Sequence, residues 1–187
     1  MNDQTITRLT RLAEQIISLK ALPRTGWLQR GVTSAESVAE HSFGVAALAV
    51  VLTAADDSWN RERILAMALI HDFAEALLGD LPLSARRLIG EAVKRDAERR
   101  AMVEICAAIP GGERLMLLWE EYTAGETREA RFVKALDRVE TLLQALAYER
   151  AGNRSLDEFW LDATEGLAEF PDLALFVSWL ALQRVNR

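Results

Sequence analysis

His41 and His71 are the only two histidines among 187 residues, and both stand inside apolar runs. The first lies in SVAEHSFGVAALAVVL, from Ser37 to Leu52. The second lies in LAMALIHDFAEALLGDLP, with Asp72 directly behind it. A polar ring in such surroundings needs a partner, and a carboxylate needs a counter-charge, a hydrogen-bond network or a metal. Two neutral imidazoles and a carboxylate supply mixed nitrogen and oxygen donors, a set suited to a divalent transition metal. A fourth donor would come from another buried helix. RFVKALDRVETLL offers Asp137, flanked by Phe132, Leu136, Val139 and Leu143. At 100° per residue Asp137 falls roughly 140° from the centre of that apolar stripe, so it faces the core only if its helix is packed on two sides.

These residues need elements to carry them, and nearly every segment reads as helix. No stretch alternates in the β-branched manner of a strand, and Gly and Pro fall mainly at punctuation points. Helices are expected over about Asp3–Leu22, Ser34–Ala54, Asn60–Leu78, Ser84–Ile109, Glu113–Thr123, Thr127–Arg150, Leu156–Ala168 and Asp172–Val185. Ser34 is the expected N-cap of the second, and Gly79 the C-terminal cap of the third. Between the first two, PRTGWLQRG (Pro23–Gly31) reads as an ordered loop. The helices carrying His41 and His71 are apolar on nearly every face, which places them in the centre of the bundle. The expected architecture is a single all-α domain over residues 1–187. Its motif-bearing core covers about 19–150, with C-terminal helices over 155–186 packed on it.

Composition narrows the partners. Half the residues are apolar and 27% are charged, an ordinary balance for one well-cored globular domain. No apolar run reaches bilayer length and the polar N-terminus lacks a secretory pattern, so neither membrane nor export is expected. The single cysteine, Cys106, cannot form an internal disulfide, in keeping with a reducing cytoplasm. Net charge is −6 with scattered basic residues, which argues against a nucleic-acid polymer as partner. RRLIGEAVKRDAERR interleaves acids with bases and reads as a solvated helix face. Trp119, Trp160, Trp179 and the run LALFVSWLAL read as core or interface, and Lys134 as an exposed helix lysine.

The order His41, His71–Asp72, Asp137 resembles that of the HD-domain metal-dependent phosphohydrolases. LKALPRTGWLQRGVTSAESVAEHS and HDFAEALLGDLP resemble more narrowly the 5′-deoxynucleotidase branch, whose members share a PRTGW loop, an ESVAEHS helix and HDxxEaxxGDxP. The resemblance spans about Leu19–Asp137. It implies an HD-type helical bundle in which His41, His71, Asp72 and Asp137 ligate one divalent cation. Manganese, cobalt or magnesium suit that donor set first, and zinc, nickel or iron after them. The same resemblance assigns Glu75 and Asp80 to positioning or deprotonating the attacking water, and Arg24 to the substrate phosphate. Glu75 stands one helical turn beyond His71 and Asp72, so its carboxylate can project to their side. Trp27 corresponds to an aromatic residue that packs on the sugar and disfavours a 2′-hydroxyl. Some members carry the Arg and Trp adjacent, whereas Thr25 and Gly26 intervene here.

The reaction so implied is hydrolysis of (deoxy)ribonucleoside 5′-monophosphates to nucleoside and phosphate, by a homodimer acting on a small-molecule nucleotide. Two alternatives stand beside it. One is a triphosphohydrolase, or a phosphatase of a specialised nucleotide-like metabolite. The other is a non-catalytic helical interaction module with a vestigial metal site. Relatives with two- or three-metal centres recruit further histidines. Both histidines here are already used, which disfavours the cyclic-dinucleotide and cyclic-nucleotide phosphodiesterases.

Overall fold

Local chemistry sets most of the helix boundaries. The computed structural model describes residues 3–107 and 109–184. Helix α1 (Asp3–Ala21) ends before Pro23, and α2 (Thr25–Leu28) is a single turn within the segment expected to be loop. Helix α3 (Val38–Thr53) starts at a capping box rather than at Ser34. The Ser37 hydroxyl accepts the Glu40 N–H, and the Glu40 carboxylate accepts the Ser37 N–H. Two orphan amides are satisfied reciprocally there, an arrangement Ser34 has no acid in place to match. Asn60 caps α4 (Arg61–Ile70), and Thr127 caps α9 (Arg128–Arg150).

Three expected helices are shorter in the structure. Asn60–Leu78 breaks after Ile70, winds through a tight turn and resumes as α5 (Glu75–Leu78). In the turn the N–H groups of Phe73 and Glu75 reach the carbonyls of Ile70 and Asp72. This i+3 pattern keeps the apolar residues inward, so periodicity does not reveal it. Ser84–Ile109 divides at Gly90, whose φ of 84° suits glycine, into α6 (Leu83–Ile89) and α7 (Glu91–Ala107). After α8 (Gly112–Ala124) and α9, Leu156–Ala168 is reduced to α10 (Asp157–Trp160), because Leu161 turns extended and Asp162 has a positive φ of 50°. The last helix is α11 (Pro171–Arg184). Its expected end at Val185 lies outside the described residues, as do the outermost residues of the 1–187 and 155–186 spans. Among the described residues there is no strand, only an isolated bridge between Pro23 and Ser37.

Helix α9 is the spine. It touches α3, α4, α8, α10 and α11, and it buries Phe132, Val133, Leu136, Val139, Glu140 and Leu142 around much of its circumference. The two-sided packing that Asp137 required is therefore present. Helix α3 packs on α4 and α9 through Val45 and Ala49, yet Phe43 and Val51 on its other side are exposed. An all-apolar helix is thus buried on one side only. Trp119, Trp160 and Cys106 are buried, whereas Trp179 is 51% exposed. No helix among the described residues is long and apolar enough to cross a membrane.

Candidate active site

The two imidazoles meet where α3, the corner between α4 and α5, and α9 come together. Their ring centroids are 5.4 Å apart. His41 Nε2 lies 3.1 Å from Asp137 Oδ1 and 4.0 Å from Asp72 Oδ2, and His71 Nε2 lies 3.2 Å from Asp72 Oδ2. Asp72, the next residue in the turn, swings its carboxylate back beside the His71 ring, so neighbours in sequence reach one spot. Asp137 arrives from α9, on the face opposite its hydrophobic stripe.

Both Nε2 atoms are buried without a hydrogen-bond partner. The other ring nitrogens are committed. His71 Nδ1 donates to the Ala68 carbonyl at 2.8 Å, and His41 Nδ1 donates to Glu140 Oε2 at 2.5 Å. Each ring is thereby fixed with its Nε2 turned to the shared centre, as histidine ligands of metals are held. Donor atoms of His41, His71 and Asp137 all lie within 4.8 Å of one another, and Asp72 closes the group. Two carboxylates and two buried ring nitrogens left without hydrogen-bond partners fit a divalent cation.

The charges respond to this crowding. Burial and the Arg24 charge oppose a proton on His41, but the adjacent Asp137 and Glu140 carboxylates outweigh them and push it up to about 10. Burial works against the Asp72 carboxylate, yet the neighbouring His71 and His41 bring it down to about 2. Asp137 is lowered in the same way, against its burial, chiefly by the adjacent His41 ring. Glu75 moves oppositely. Burial, then Asp72 and Asp80, push it up to about 10, so it holds its proton at neutral pH in the metal-free protein.

The remaining candidates line two adjoining cavities. One of about 340 Å³ is walled by Trp27, Leu81, Pro82, Leu83 and Phe159. A more polar one of about 470 Å³ reaches Glu75, Lys94, Arg95 and Tyr122. Arg24, Asp80, Lys134 and Asp137 border both. The Arg24 guanidinium is largely covered. Its Nη1 donates to Glu36 and Thr141, each at 3.2 Å, and stands 3.0 Å from His41 Nδ1. Asp80 fastens two motifs together, accepting the Thr25 N–H through Oδ2 while its carbonyl accepts the Thr25 hydroxyl at 2.9 Å. Trp27 is 1% exposed, stacked on Phe159 at 4.2 Å, and donates from Nε1 to Glu36 at 2.9 Å.

Sequence reading passed over Glu140, Glu36 and Phe159. Glu140 carries a signal in its spacing, one helical turn beyond Asp137 on the same helix. Glu36 stands at the head of the ESVAEHS motif, whereas Phe159 carries no signal, since only the tertiary fold brings it to the site.

A family model described as HD domain matches residues 16–170. The mouse protein named 5′-deoxynucleotidase HDDC2 is 38% identical over 180 residues, covering 94% of this chain and 88% of that protein. Among solved structures, a conserved hypothetical protein from Pyrococcus furiosus superposes with a TM-score of 0.80 at 32% identity, covering 92% of this chain and 98% of its own. A predicted metal-dependent phosphohydrolase from Magnetospirillum magnetotacticum gives 0.72 at 28% identity, covering 98% and 94%. The chain belongs to the HD-domain family, in the branch that holds the 5′-deoxynucleotidases.

Proposed function

We propose that this protein hydrolyses the phosphomonoester of nucleoside 5′-monophosphates, with deoxyribonucleotides as the preferred class. The observation that carries the reading is the pair of orphaned Nε2 atoms facing Asp72 and Asp137 beside a cavity bordered by Arg24. His41, His71, Asp72 and Asp137 would hold one divalent cation, with manganese, cobalt or magnesium as activators. When bound, that cation supplies Lewis acidity toward a phosphoryl oxygen and acidifies water.

The chain's own groups do the rest. Arg24, clamped by Glu36 and Thr141, offsets charge on the equatorial oxygens without having to reorganise. Glu75 takes a proton from water; with the Asp72 charge that helps hold Glu75 protonated offset by a bound cation, its carboxylate is free to accept one. Asp80 holds the Thr25 backbone, and with it Arg24, in register. The apolar wall of Leu81, Pro82 and Phe159 receives the base and sugar. The polar cavity with Lys94, Arg95 and Lys134 favours, as a second reading, a nucleotide bearing further phosphates. A homodimer is supported by the exposed apolar side chains Leu175, Trp179 and Leu182 of α11, and a cytoplasmic setting by the single buried cysteine.

Phosphate release from a panel of deoxy- and ribonucleoside mono- and triphosphates, with each metal in turn, tests the assignment. Orthophosphate from deoxynucleoside monophosphates is expected. Release of pyrophosphate or triphosphate would favour the second reading, and no turnover with any metal would overturn both.

A further inference from the structure

Glu140 is an acid where the packing gives little reason for one. It is 8% exposed on the spine helix, and its Oε2 sits 2.5 Å from Nδ1 of the fully buried His41. The same oxygen lies 3.9 Å from Arg24 Nη1, which also binds Glu36. One carboxylate therefore touches both the ring that faces the cation centre and the guanidinium that borders the cavities.

A second, independent feature makes room for it. Gly44 lies one turn beyond His41 on α3. A methyl group added there would stand 2.6 Å from Glu140 Oε1 and 2.9 Å from its Cγ. Glycine inside a helix is less favourable than alanine by about 1 kcal/mol. Here the missing side chain is the space that Glu140 occupies.

We propose that Glu140 is the positioning residue of this site: seated in the notch left by Gly44, it accepts a hydrogen bond from Nδ1–H of His41, fixes Nε2 as the metal-facing atom, and ties Arg24 to the same support. The inference rests on the reading of His41 as a metal ligand and extends it to a residue outside the motifs. A carboxylate on the far nitrogen of a ligand histidine sets the ring's tautomer, its orientation and its basicity. Loss of such a partner weakens metal binding by about 10–100-fold.

The test is calorimetric titration of Mn²⁺ into metal-free wild type, Glu140→Gln and Gly44→Ala. Gln keeps the shape and removes the charge, whereas Ala at 44 removes no polar group but forces the carboxylate to shift. Both variants are expected to bind Mn²⁺ about 10–100-fold more weakly than wild type. Melting of the metal-free proteins separates this loss from a merely structural role, which would lower the melting temperature and leave affinity unchanged. In the zinc-loaded protein, proton NMR should show two imidazole N–H signals. That of His41 should shift upfield in Glu140→Gln while that of His71, bonded to the Ala68 carbonyl, stays. Binding within twofold of wild type in both variants, or an unmoved His41 signal, overturns the proposal. If Glu140→Gln does not fold, Gly44→Ala decides alone. Wild type that binds no divalent cation sinks the metal reading and this proposal with it. Wild type that binds tightly but turns over no nucleotide removes the proposed function, while the binding ratios still judge Glu140.

Discussion

Nε2 of His41 lies 3.1 Å from Oδ1 of Asp137, joining α3 to α9 across the middle of the bundle. Asp137 is a third exposed at its side chain, so its replacement leaves the core intact. Asp137→Asn should therefore keep the helical circular dichroism of the wild type. Mn²⁺ affinity and turnover should each fall by more than about 100-fold, beyond what loss of an outer partner causes. Titration and steady-state kinetics on the same preparation check both.

Metal binding should release protons. His41, pushed up to about 10, is an imidazolium at pH 7 in the metal-free protein, and a cation must displace its Nε2 proton. Affinity should then rise about tenfold per pH unit between roughly pH 7 and 9 for each proton displaced. Calorimetry in two buffers of different ionisation enthalpy counts those protons directly.

The metal-free protein should lose stability on the alkaline side. His41 has a folded pKa above its unfolded value of 6.5, so its contribution is complete below about 6.5 and fades as pH rises toward 10. Glu75, raised from 4.5 to about 10, holds a proton that the unfolded chain has already lost, and it pulls in the same direction. Glu75→Gln removes the second contribution. Its melting temperature in chelator should fall less between pH 5 and 9 than that of wild type, by about 2–4 °C for each kcal/mol removed. Asp72, lowered to about 2, adds stability present above 3.8 and lost as pH falls through 2. Between the loss of Asp72 below about 3.8 and that of Glu75 above about 4.5, the metal-free optimum lies near pH 4.

Trp27 is held on both sides, by Phe159 at 4.2 Å and Tyr148 at 5.3 Å. Trp27→Ala should destabilise by about 3–5 kcal/mol, as large aromatic deletions in a core do. Trp27→Phe should fold, free the Glu36 carboxylate from the indole N–H, and leave the ratio of deoxy- to ribonucleotide turnover unchanged. Phe159→Ala, by contrast, should raise KM. Denaturant melts and KM for a deoxy/ribo pair check the three variants.

Much of this site was legible in the residues themselves. Two histidines inside apolar runs, one followed by aspartate, announced a buried polar centre before any fold was known. Asp137 was less legible, because a helical wheel assumes one buried face and α9 is packed on several. The turn at 71–74 was hidden as well, since i+3 winding leaves the apolar pattern unbroken. The capping box of Ser37 and Glu40 was written in the sequence, but Ser34 competed for the same role until the Glu40 carboxylate was seen on the Ser37 amide. Glu36 opens the ESVAEHS motif, but only the fold shows that its carboxylate holds Arg24 and Trp27, and Phe159 comes from a distant segment that nothing local marks.

The spread of the site's side chains over α3, the turn at 71–74 and α9 has a consequence for how the protein persists in a cell. With a cation held as proposed, its donors come from three places that only the finished fold assembles, so the unfolded chain offers no comparable chelate. Such a ligand shifts the folding equilibrium by mass action, by about 2.7 kcal/mol when its free concentration is a hundred times its dissociation constant. Scarcity of the ion would then thin the population of native molecules and expose the remainder to proteolysis, making abundance itself a gauge of metal supply.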